Sequence, residues 1–84
     1  MGHHHIPSRF IRATYELDFP KGRFNTGQLK LAALELRRLA TVERVDIKSL
    51  TMSITFRGNL WLSSRAIREC LERALGVELE IQDR

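Results

Sequence analysis

Along residues 10–19, Ile11, Ala13, Tyr15, Leu17 and Phe19 alternate with Arg12, Thr14, Glu16 and Asp18. An apolar–polar period of two predicts a strand with one buried and one wet face. Pro20-Lys21-Gly22-Arg23 interrupts it with loop residues. Asn25, followed three residues later by Gln28, has the spacing of a helix cap and its reciprocal partner. The period then changes. Leu29, Ala32, Ala33, Leu36, Leu39 and Ala40 make one stripe at helical spacing, so a helix is expected to about Thr41. Leu31 and Leu34 fall on its opposite side. Val45 and Ile47 alternate with Arg44, Asp46 and Lys48; Ser49-Leu50-Thr51 turns; Met52, Ile54 and Phe56 alternate with Ser53, Thr55 and Arg57. This is a β-hairpin pattern. Ser63 or Ser64 can cap a second helix whose stripe is Ile67, Cys70, Leu71, Ala74 and Leu75. Its outer face carries Arg65 with Glu69, Arg68 with Glu72, and Glu69 with Arg73. Gly76 is a natural stop, and Val77, Leu79 and Ile81 form a last strand.

The predicted order is strand, helix, strand, strand, helix, strand. Two helices on one face of a four-stranded antiparallel sheet satisfy every apolar stripe, which is the α+β, ferredoxin-like βαββαβ arrangement. The chain of 84 residues then makes one domain, 1–84, with residues 1–8 as a lead-in. Pro7 suits a lead-in because it has no amide hydrogen. In that topology the start of the first strand shares an end of the sheet with residues 58–64, so Trp61 is expected near the N-terminal histidines. So short a chain buries a modest core, which favours a partner or self-association.

Composition narrows the function classes. Charged residues make up 29% and net charge is +4, but the signs interleave and no basic tract forms. The expected wet sheet face has no mid-sheet aromatic on which bases could stack, which argues against nucleic acid. Cys70 is the one cysteine, so no disulfide framework exists, and its place in a buried stripe reads as structural. No apolar run reaches membrane-spanning length and no signal-peptide core appears, so membrane insertion is not expected and a cytoplasmic location follows by default. No set of convergent titratable groups points to catalysis, and the chain is read as non-enzymatic.

The chemistry-bearing segment is His3-His4-His5, which holds all three histidines. Imidazoles suit a transition-metal ion, and a histidine can also ligate haem. Met1-Gly2 before histidines also begins expression tags, so the segment reads either as a tag remnant or as native lead-in. Leu31, Leu34 and Trp61 are the candidates for partner contact, with a second copy of the chain or a metal-transport protein as the expected partner.

His4-His5-Ile6-Pro7-Ser8-Arg9 resembles the H-x-[IV]-P-G-R entry of the second, thiol-free type of heavy-metal-associated domain. Val42-Glu43-Arg44-Val45-Asp46-Ile47 with Ser49-Leu50-Thr51-Met52-Ser53-Ile54-Thr55-Phe56 is similar to that family's central hairpin. Ser8, Ile11, Thr41 and Met52 depart from its pattern. The resemblance implies the same fold and a place in metal homeostasis, often beside a P-type ATPase. Only His4, and by adjacency His3 and His5, would carry a ligand role; Arg9 would be an electrostatic partner. The copper-carrying C-x-x-C pair is missing from residues 20–23, so any ligand site is expected at the opposite end of the sheet from that loop, beside Trp61.

Overall fold

The computed structural model describes the backbone of residues 3–11, 14–57 and 64–83, and the side chains of 5–11, 14–57 and 65–81. Expectations for Arg12, Ala13 and residues 58–63, Trp61 among them, lie outside the described residues. Among the described residues seven elements follow one another: β1 (His3–Ile11), β2 (Thr14–Asp18), α1 (Thr26–Arg37), β3 (Val42–Lys48), β4 (Thr51–Phe56), α2 (Ser64–Leu75) and β5 (Glu78–Asp83). The five strands form one mixed sheet in the order β3-β4-β2-β1-β5.

This overturns the expected four-stranded antiparallel βαββαβ sheet. What was read as a lead-in is β1, an inner strand. It pairs antiparallel with β2, Ser8 opposite Leu17 and Ile11 opposite Thr14. On its other side it runs parallel to β5, His3 opposite Glu78 and Ser8 opposite Asp83. The alternation over residues 10–19 is therefore not one strand but two, reversing between Ile11 and Thr14. That reversal changes the parity of the buried positions. Tyr15 and Leu17 are buried after it, but Ile6 and Ser8 are the buried residues before it. Ile11, expected inward, is exposed. Phe10, expected on the wet face, shares the register of Ile6 and Ser8, its ring 4.9 Å from Tyr15 and 6.5 Å from Phe56, but at the strand's end it stays half exposed. The β1–β2 ladder stops at Ser8, one residue short of Pro7, whose nitrogen has no hydrogen to donate.

The helices pack against each other, α1 also against β3 and α2 against β5. Leu29, Leu36, Met52, Ile54, Ile67 and Leu71 fill the space between helices and sheet. Ser8 is polar yet fully buried, and it accepts the Tyr15 hydroxyl's hydrogen bond at 2.7 Å. In β3 a register shift between Val42 and Arg44 inserts one extra residue, so both Val42 and Val45 turn toward the core. Ser49, at φ 57°, supplies the left-handed residue of the β3–β4 turn.

The predicted capping box is present: the Gln28 N–H donates to Asn25 Oδ1 at 2.8 Å, and the Asn25 N–H donates to Gln28 Oε1 at 2.9 Å. Asn25→Ala should lower stability by about 1 kcal/mol, read as a shift in the urea midpoint with unchanged slope. α1 ends at Arg37, short of Thr41, because the Arg38 and Leu39 N–H groups close tighter turns onto Glu35 and Leu36. α2 stops at Gly76, φ 71°, as its sequence indicates. Of its three expected outer ion pairs, Arg65–Glu69 is formed at 3.3 Å. The Glu72 carboxylate instead accepts the Leu79 N–H at 2.8 Å and ties α2 to β5.

Candidate functional site

The parallel β1–β5 pair brings the histidines against two glutamates that no sequence pattern had joined to them. Register sets His3 opposite Glu78, His4 opposite Leu79 and His5 opposite Glu80. His5 Nδ1 stands 3.7 Å from Glu80 Oε2, on the sheet face away from the helices, and both side chains are about half exposed. Successive strand residues point to opposite faces, so His3 and His5 share a register class with Glu78 and Glu80. His4 takes the intervening position, opposite a leucine that is buried in the core. The three histidines are thus not equivalent. Among the described residues, no three His, Cys, Asp or Glu side chains gather as a metal-holding group.

The location differs from expectation too. β1 doubles back on β2, which carries the histidines past Ser8 to the end of the sheet where β5 begins. β4 ends at the other side, where Thr55 lies opposite Thr14. Phe56, the last residue of β4, therefore lies at the end of the sheet away from His3–His5. The loop at residues 20–23 leaves from the same end as the histidines, not the opposite one.

Arg9, on the same wet face, is engaged elsewhere. Its guanidinium pairs with Asp18 and, at 2.9 Å, with Glu16, and Asp18 also accepts the Thr51 hydroxyl at 2.9 Å. The hydrogen bond to Asp18, its charge and then Glu16 hold the Arg9 pKa above its ordinary value. Arg9 is paired with β2 carboxylates and, through Asp18 and Thr51, staples β1 to β2 and β4.

Leu31 and Leu34 are exposed on α1, as their spacing predicts. They lie on the helical side of the molecule, away from the histidines. Cys70 is buried, and burial pushes its thiol pKa up, an effect that Arg73 only partly opposes. The raised value favours the neutral thiol in the fold. Its stabilising contribution is therefore complete below the ordinary thiol range, near pH 8.5, and is lost as pH rises through the higher folded value. Native protein should react with a disulfide reagent at pH 8 far more slowly than urea-unfolded protein, with one thiol released per chain. Equal rates would place Cys70 at the surface.

Glu78 and Glu80 could have been noticed as a Glu-x-Glu spacing matching His-x-His. Pairing them required the parallel β1–β5 neighbourhood, which the four-stranded topology did not contain. No family model, curated protein or solved structure matches this chain, so nothing among known proteins identifies a heavy-metal-associated domain. Among the described residues, no helix is long and apolar enough to cross a membrane.

Proposed function

We propose that this is a small non-enzymatic metal-handling domain that binds a divalent transition-metal ion on the wet edge of β1 and β5. His3, His5, Glu78 and Glu80 would hold the ion. The observation that carries the reading is the His5–Glu80 contact at 3.7 Å; the same ladder sets His3 opposite Glu78. Two donors each about 2 Å from one tetrahedral ion stand roughly 3.3–3.5 Å apart, so a small closure of the existing contact suffices. Imidazole with carboxylate is a donor set suited to zinc and its neighbours. The glutamates also offset the ion's charge. A backbone ladder supplies the spacing, so the ligands need not be ordered from a flexible tail.

Haem is the weaker candidate for the same place. A macrocycle needs apolar walls, and the neighbouring wet-face side chains include Arg9, Glu16, Glu78 and Glu80. The test is equilibrium dialysis against zinc of protein carrying no added tag, with metal content read by mass spectrometry. One ion per chain is expected, lost in His5→Ala/Glu80→Gln. Absence of stoichiometric binding at neutral pH, or full binding by that double variant, would refute the site.

A further inference from the structure

The outer side of α1 carries a second surface, independent of the histidine edge. Leu31 is 60% and Leu34 54% exposed, in a chain whose other α1 apolar residues are committed to the core. Leu34 stands as a ridge between two open grooves. One, of about 600 Å³, runs toward α2 and ends at Ala74 and Arg73. The other, of about 410 Å³, runs toward β3 and is floored by Ala33, Val45 and Ile47. The rims are unequal in charge. Lys30, Arg37, Arg38 and Arg73 face two carboxylates, Glu35 and Asp46. Glu35 is taken by Arg38 at 3.4 Å and Asp46 by Arg44 at 2.8 Å. Among the described residues, Lys30, Arg37 and Arg73 then have no carboxylate partner.

We propose that this face docks an acidic amphipathic helix of another protein, with apolar anchors on either side of Leu34 and carboxylates over Lys30, Arg37 and Arg73. Helix-in-groove recognition uses anchors one turn apart, which matches paired grooves across a single ridge. Charge complementarity selects the occupant. A second copy meeting this face about a twofold axis would oppose cation to cation, with no spare carboxylate to receive either. An anionic lipid surface needs a broader apolar face than two leucines. A nucleic acid would leave those leucines against phosphate.

The experiment is panning of a displayed library of random helical peptides, followed by anisotropy titration of the enriched peptide. Enriched sequences should combine Leu, Met or aromatic anchors with Asp and Glu. Their affinity should fall at least tenfold in Leu31→Glu/Leu34→Glu and weaken with added salt. Lys30→Glu/Arg37→Glu keeps the anchors, so its loss of binding isolates charge; circular dichroism verifies that both variants fold. The proposal is overturned if no peptide enriches, if the enriched peptides are neutral or basic, or if they bind the leucine variant undiminished. It is equally overturned by a dimer that Leu34→Glu dissociates, or by tighter binding to phosphatidylserine vesicles or to single-stranded RNA.

Discussion

Ile6→Ala should destabilise the protein by about 2–5 kcal/mol, the usual cost of deleting most of a buried isoleucine and leaving a cavity. Ile6 is fully buried, on an inner strand, within the cluster that joins β1 to β2, β4 and β5. A chain of this length has a total stability of roughly 4–13 kcal/mol at 0.05–0.15 kcal/mol per residue. The substitution would remove a large fraction of it. Ile6→Val should cost only about 0.5–1.5 kcal/mol, which scales the effect to the volume lost. The four-stranded reading makes the opposite forecast. A residue of an N-terminal lead-in tolerates truncation to within about 0.5 kcal/mol. Urea unfolding followed by circular dichroism separates the two, and a near-neutral Ile6→Ala would show that β1 is not an inner strand.

Zinc should raise the unfolding temperature by roughly 10–20 °C at a free concentration one hundred times the dissociation constant. That follows from a linkage of about 2.7 kcal/mol and a shift of about 4–8 °C per kcal/mol for a domain of this size. The gain should shrink as pH falls, because metal ligands must be deprotonated and protons compete for them. A chelator should reverse it. β1 and β5 are joined at the site, so the ion would clamp the first strand of the chain to the last. A stabilisation that chelator does not reverse, or that grows as pH falls, would point to non-specific ion binding instead.

Much of the core was legible from residue spacing. The helices announced themselves through Leu29 to Leu36 and Ile67 to Leu71, and through Asn25, Gln28 and Gly76, because helical period and capping are local. The β3–β4 hairpin was legible for the same reason. The first strand was not. A reversal between β1 and β2 leaves apolar–polar alternation looking unbroken while it inverts which register is buried, so Ile6 and Ser8 are buried and Ile11 is not. Ile6 and Ser8 gave little warning, since a serine beside a proline seldom signals an inner strand. The site inherited that error. The histidines were visible as chemistry, but their glutamate partners lie more than seventy residues away along the chain, and only strand order brings them together.

The most direct measurement is a zinc titration by calorimetry of four proteins without an added tag: the unaltered chain, His4→Ala, His5→Ala and Glu80→Gln. A site built on strand register predicts that His4→Ala binds within about twofold of the unaltered chain, while His5→Ala and Glu80→Gln each lose at least tenfold, as ligand and supporting groups commonly do. A flexible histidine tail predicts equal losses in His4→Ala and His5→Ala and none in Glu80→Gln. If His4→Ala is as damaging as His5→Ala and Glu80→Gln is without effect, the β1–β5 site is wrong.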